Sequence, residues 1–380
     1  MIPLAIPNLT GRESEYLQEC IETTFVSSVG PFVTRFEKMV AGASGSSMAT
    51  ATSAGTTGLH AALVAVGVGQ NDLVVLPSFT FIASANAIAY CGASPWLLDV
   101  TAESWTLNPA LLAEQLATET TQRNDSLFHK ATGRRVAAIM PVYTLGMPAD
   151  MDAITKIAND YNLPVVADGA AALGASYKKN SSGTFGADLT VYSFNGNKIV
   201  TAGGGGTVVG EDPELMKLVR HLTTTAKVGQ TYHHDRIGFN YRMTNIAAAV
   251  GCAQMERLEE FVGVKREIQK LYNEALENIP EVDIFPQPDW AEGTCWLSGV
   301  IMANVESADI LRCKLKENSI DARSFWKPIH LQPMFINSPA TAQHVSSKIW
   351  SRIVTLPCST GLKESEQAKV IETIQNSLLK

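Results

Sequence analysis

Ala187–Gly206, ADLTVYSFNGNKIVTAGGGG, is the stretch on which the reading of the whole chain turns. Residues 189–194 alternate β-branched, aromatic and hydroxyl side chains over a short span, which is the pattern of a strand. The turn cluster Asn195-Gly196-Asn197 ends that strand, and Lys198 follows at once. Four glycines, Gly203–Gly206, then allow the backbone to pass close to another group before residues 207–209 resume as a strand. A lysine held at a strand end among small residues loses solvation, which favours its neutral amine. A neutral lysine forms a Schiff base with an aldehyde, the use that pyridoxal phosphate makes of this side chain. A loop lysine taken alone is most often simply solvated, so the assignment depends on its companions.

Outward from this stretch, short apolar runs alternate with helical patterns. Strands are expected at 48–53, 73–76, 96–100, 136–142 and 163–167, and helices at 12–24, 33–40, 59–66, 83–90 and 151–160. Such alternation implies an α/β fold with a mostly parallel central sheet and helices on both faces. Residues 114–135 are polar and threonine-rich and read as a surface loop or inserted excursion. From 246 to 276 the pattern is one long helical stretch, and beyond it the segments 296–302, 308–317, 353–356 and 364–379, the last of helical pattern, suggest a smaller C-terminal α+β domain. The division is placed at 1–255 and 256–380. With 380 residues, 46% of them hydrophobic, two domains can each bury a core.

A net charge of −7 without a basic block argues against a nucleic-acid groove. Six cysteines without CxxC spacing suggest reduced thiols rather than disulfides or zinc ligands, and so a cytoplasmic protein with no metal. No basic segment precedes an apolar core at the start, so no signal peptide is expected. Residues 73–98 lack charge but contain Pro77 and Pro95, which favours strand, helix and strand over a membrane span.

Three further features accompany Lys198. Asp168 ends the 163–167 strand at its carboxyl side, where open α/β sheets bind ligands. Such a carboxylate can pair with a protonated pyridine nitrogen, although for an aspartate taken alone a helix N-cap is the commoner role. Gly55-Thr56-Thr57 opens a helix after a strand and offers backbone N–H groups to a phosphate, or is an ordinary helix start. Phe81 can stack on an aromatic ring or pack in a core.

Together these segments resemble a known family. Thr52-Ser53-Ala54-Gly55-Thr56-Thr57-Gly58-Leu59-His60, Pro77–Phe81, Asp168–Gly174, Ser193–Lys198 and Gly238-Phe239-Asn240-Tyr241-Arg242 recur in the order found in the DegT/DnrJ/EryC1/StrS nucleotide-sugar aminotransferases. Ser193-Phe194-Asn195-Gly196-Asn197-Lys198 and Phe325-Trp326-Lys327-Pro328-Ile329-His330-Leu331-Gln332-Pro333 most resemble the LegC-like branch, which aminates C4 of UDP-4-keto-6-deoxy-N-acetylglucosamine. The resemblance implies the aspartate aminotransferase-like fold type I, pyridoxal phosphate as cofactor, glutamate as amino donor and a homodimer with shared active sites. It implies that Lys198 attaches the cofactor and moves the proton, that Asp168 binds the pyridine nitrogen and that Phe81 stacks on the ring. It implies further that backbone groups of Gly55, Thr56 and Thr57, with the Ser193 hydroxyl, hold the phosphate, and that Asn240 reaches the phosphate in the neighbouring subunit. Arg242, Trp326 and His330 are the implied sugar-nucleotide contacts.

One position departs from the family. Ala171 stands three residues after the aspartate, where Gln or Glu is usual, near the expected place of the cofactor's 3-hydroxyl. Amination at C3, a dTDP- or GDP-linked sugar, and a non-catalytic cofactor-binding role remain as alternatives.

Overall fold

The computed structural model describes residues 1–178, 180–181 and 185–378. Its central sheet has seven strands: β1 (Met48–Thr52), β2 (Leu73–Pro77), β3 (Ser94–Leu98), β4 (Arg135–Ile139), β5 (Val166–Asp168), β6 (Leu189–Ser193) and β7 (Gly206–Gly210). They lie in the order β3-β2-β4-β5-β6-β7-β1, with β4 joined to β5 through the parallel bridges Ile139 to Val165 and Val142 to Asp168. Only β7 runs against its neighbours, pairing antiparallel with β6 and with β1. The expected α/β sheet is therefore present.

Both faces of the sheet are covered. Along β2, Leu73 and Val75 join one hydrophobic cluster while Val74 and Leu76 join another, as the two-residue period of a strand requires. Helices α1 (Glu13–Glu22), α2 (Pro31–Ser44) and α8 (Asn245–Met255) pack with one another on the first cluster. Helices α3 (Gly55–Ala65), α4 (Ile82–Tyr90) and α7 (Pro213–Thr223) cover the second. Helices α5 (Pro109–Glu119) and α6 (Met151–Asp160) complete the large unit.

Two sequence expectations are corrected. The polar excursion at 114–135 is the end of α5 followed by a β-hairpin, Thr120–Arg123 against Ser126–His129, which pairs onto β4. Its turn, Asn124-Asp125, takes φ of 46° and 60°, the left-handed pair that matches hairpin twist. The long helical stretch at 246–276 is two helices, α8 and α9 (Leu258–Leu276), broken at Glu256 and Arg257. Glu256 accepts from Tyr16 and Arg35, and Arg257 reaches Thr10 and Asn8, so side-chain ties from the N-terminal segment accompany a break with no Gly or Pro.

Beyond α9, an antiparallel sheet of β8 (Val282–Ile284), β9 (Ser298–Met302) and β10 (Ile353–Leu356) packs with α10 (Val305–Glu317) and α11 (Glu364–Leu378). The 364–379 helix expected from the sequence extends in its last residue outside the described residues. The chain's start runs with this C-terminal unit, since Ile2 bridges Ile320 and the Cys358 N–H donates to the Leu4 carbonyl. Residues 339–346 return to the large unit, where Leu97 bridges Ala340 and Asp99 accepts from Val345 and Ser346.

Candidate active site

The ends of β5 and β6 and the start of α3 surround a cleft of about 350 Å³. It is at the carboxyl edge of the parallel strands, where such sheets place ligands. Gly55, Thr56, Phe81, Asp168, Ala171, Ser193, Lys198 and Trp326, all singled out in the sequence, line it.

Lys198 sits on loop 194–205, between the antiparallel strands β6 and β7. The loop is closed by hydrogen bonds from the Phe194 N–H to the Gly205 carbonyl and from the Ala202 N–H to the Phe194 carbonyl. The end of the glycine run has a steric cause. A Cβ on Gly206 would lie 2.6 Å from the Ala54 carbonyl, so β7 enters the sheet by passing directly against the start of α3. Burial pushes the Lys198 amine down to about 8, opposed by the negative charge of Asp168. At neutral pH roughly one such lysine in ten is uncharged, against about one in a few thousand for an ordinary lysine.

Asp168 is 5% exposed, and residues 169–173 form turns rather than a helix, so it caps no helix here. Its Oδ2 accepts from Ser84 Oγ at 2.7 Å and its Oδ1 from the Ala170 N–H at 3.1 Å. Burial pushes this carboxyl up, and the bonds from Ser84 and Ala170 and the charge of Lys198 pull it back. The N-cap of α3 is Ala54, which brings no side-chain acceptor, so the first amides of the helix lack a cap, and Gly55 and Thr56 there line the cleft. The Thr57 hydroxyl is turned away, donating to the Ala54 carbonyl at 2.8 Å; only its backbone can serve a ligand.

Three expected contacts lie elsewhere. Arg242 is buried against Glu37 at 2.9 Å and donates to the Ala51 carbonyl at 3.0 Å. It ties segment 238–242 to the sheet and does not line the cleft of its own subunit. His330 bonds Ser78 Oγ through Nδ1 at 2.6 Å and Ser347 Oγ through Nε2 at 2.9 Å, so both ring nitrogens are occupied outside the cleft lining. Asn240 is exposed and away from its own subunit's cleft. Conversely, the cleft contains Tyr143 and Trp296, and its floor depends on Ser84; none was singled out in the sequence.

The family profile described as the DegT/DnrJ/EryC1/StrS aminotransferase family matches residues 7–375. The chain belongs to this family. It is 35% identical over 380 residues to the GDP-perosamine synthase of Escherichia coli O157:H7, covering 98% of this chain and 97% of that protein. It is 30% identical over 344 residues to a UDP-N-acetyl-3-dehydro-alpha-D-glucosamine 3-aminotransferase of Acidithiobacillus ferrooxidans, covering 90% and 87%. The solved structure of a DegT/DnrJ/EryC1/StrS aminotransferase from Brucella abortus superposes with a TM-score of 0.88 at 27% identity, covering 97% of this chain and 96% of that one. The protein is a sugar aminotransferase of fold type I, and its cofactor is pyridoxal phosphate.

The cleft fits that cofactor. A buried carboxylate held only by neutral donors suits a cationic ring nitrogen, and unpaired amides at a helix start suit a phosphate. Phe81, 53% exposed at the mouth, offers a face to a ring. Ala171 is 8% exposed in the lining, and its carbonyl is fixed by Thr294 Oγ at 2.7 Å. An Ala171→Gln variant, placing an N–H near the ring oxygen, is expected to lower the pKa of the bound cofactor's visible band by about one unit or less. A pH titration of that band in both proteins checks this, and a rise would show that Ala171 does not face the oxygen.

Proposed function

We propose that the enzyme transfers an amino group from glutamate to the C4 ketone of a UDP-linked 4-keto-6-deoxy-N-acetyl-hexosamine, in the cytoplasm, for a bacterial surface amino sugar. The observation that carries the chemistry is Lys198, its amine depressed by burial, in one cleft with a buried Asp168. Bound there, pyridoxal phosphate supplies an aldehyde for the lysine and a ring that takes up electrons. Asp168 holds the ring nitrogen positive. Gly55, Thr56, Thr57 and Ser193 hold the phosphate, and Phe81 covers the ring. Lys198 Nζ carries the proton to and from sugar C4. Trp326, stacked on Phe325 at 4.3 Å and 6.0 Å from Phe81, forms an aromatic wall for the sugar nucleotide.

The UDP-N-acetyl reading rests on the segments 193–198 and 325–333. A GDP-linked 4-keto-6-deoxy sugar is the second reading, favoured by the relative named GDP-perosamine synthase. Assay of UDP-, GDP- and dTDP-linked 4-keto-6-deoxy sugars, with the amine position read by NMR, separates them. Turnover of the GDP sugar alone, or an amine at C3, overturns the first reading.

The site is read as shared between two copies of the chain. Asn240 lies outside its own cleft, and the neighbouring hairpin of Lys227–Val228 and His233–His234 projects with Tyr232 92% and Ile237 85% exposed, side chains that a partner would cover. Mixing inactive Lys198→Ala with inactive Asn240→Asp subunits is therefore expected to restore activity, because one site of each mixed dimer keeps both groups. Subunit exchange confirmed by mass without recovered activity argues against a shared site.

A further inference from the structure

Trp296 belongs to none of the motifs above, yet it touches the reactive lysine. Lys198 Nζ lies 3.8 Å from the centroid of its ring, within cation–π reach. The same indole donates its Nε1–H to the Asn197 carbonyl at 2.7 Å, gripping the peptide bond that precedes Lys198. Trp296 is itself fixed from behind. Lys265 of α9, buried at 3% exposure, donates to the Trp296 carbonyl at 2.9 Å and to Cys358 Sγ at 3.4 Å. The Trp296 N–H donates to the Leu145 carbonyl at 3.3 Å.

A lysine that has left the cofactor and carries a proton to and from carbon is an ammonium for part of the cycle, and in that state its side chain has to stay in place. We propose that Trp296 is a positioning residue for Lys198: its indole face receives the ammonium while the lysine is free of the cofactor and returns it to the same place in the cleft. This rests on Lys198 being the attachment lysine. Asp168 acts on the amine and Tyr143 lines the same cleft; Lys265, Cys358 and Cys295 lie behind or beside the indole. Of these, Asp168 favours the ammonium, so the indole is the second group opposing the desolvation that drives the lysine neutral.

The test uses the pyridoxamine-phosphate-loaded enzyme. Competitive acetylation of Lys198 by acetic anhydride, read by peptide mass spectrometry over roughly pH 6–10, gives the midpoint of its titration. Trp296→Leu keeps an apolar side chain without the π face, and the midpoint is expected to fall by about one unit, making the neutral fraction about tenfold larger below it. If the leucine variant does not fold, trifluorotryptophan incorporation weakens the ring's charge distribution without changing its shape. Only Trp296 among the described aromatic rings lies under Lys198, so the same fall is expected there. An unmoved or raised midpoint overturns the proposal. Acetylation of Lys198 that is equal in the pyridoxal- and pyridoxamine-loaded forms overturns instead the assignment of Lys198, and the proposal with it.

Discussion

Lys198→Ala is expected to abolish turnover while the protein still binds pyridoxal phosphate without a covalent link. General acid–base assistance by a placed side chain is worth roughly 10²–10⁴-fold, and loss of the covalent attachment adds to it, so activity should fall by at least that factor. Binding should survive because the α3 amides, Ser193, Asp168 and Phe81 are untouched by the change. The fold should survive as well. The lysine is held below its ordinary pKa, so below about pH 8 the folded state carries an ammonium that burial disfavours, and that cost is full at low pH and fades as pH rises from about 8 to the ordinary value of 10.5. Removing the group therefore gives no general loss of stability at neutral pH, and a thermal melt should show a transition near that of the parent. Borohydride reduction of the parent followed by peptide mapping should put the cofactor on Lys198 alone. A label on Lys178 or any other lysine, or a variant that still turns over, would defeat the assignment.

The sequence carries this much because the lysine's surroundings are local. Strand, turn, lysine and glycine run are consecutive, and the strand–helix alternation that sets the sheet uses periods of two and 3.6 residues, which are visible without coordinates. What was not legible depends on contacts distant in the chain. Ser84 bonds Asp168 across 84 residues, and Trp296 reaches Asn197 across 99. The 114–135 excursion was misread because its hairpin is mostly polar and half-exposed, leaving only Asn124-Asp125 as a turn signal. The break between α8 and α9 has no Gly or Pro, since tertiary ties to Glu256 and Arg257 accompany it. The tie from Arg242 to the buried Glu37 spans 205 residues and is equally invisible in the sequence.

Asp168→Asn is expected to lower kcat by about 10² or more without releasing the cofactor, in line with the loss of one preorganised electrostatic contact in a dry site. The amide keeps the shape of the side chain: its one oxygen can accept from the Ala170 N–H while its NH2 donates to Ser84 Oγ, so the floor of the cleft should not collapse. What it cannot do is balance a positive ring nitrogen. Burial raises the Asp168 carboxyl and the bonds from Ser84 and Ala170 and the charge of Lys198 pull it back; a cationic ring would favour the carboxylate further, and the carboxylate in turn would keep the ring charged. A structural role and an electrostatic role predict different results with N-methylated pyridoxal phosphate, whose ring is positive without any help. If Asp168 acts through charge, the asparagine variant should regain part of its activity with this cofactor, while the parent gains nothing. A variant that binds N-methylated cofactor yet recovers no rate would show that Asp168 serves mainly to hold Ser84 and the turn at Ala170 in place.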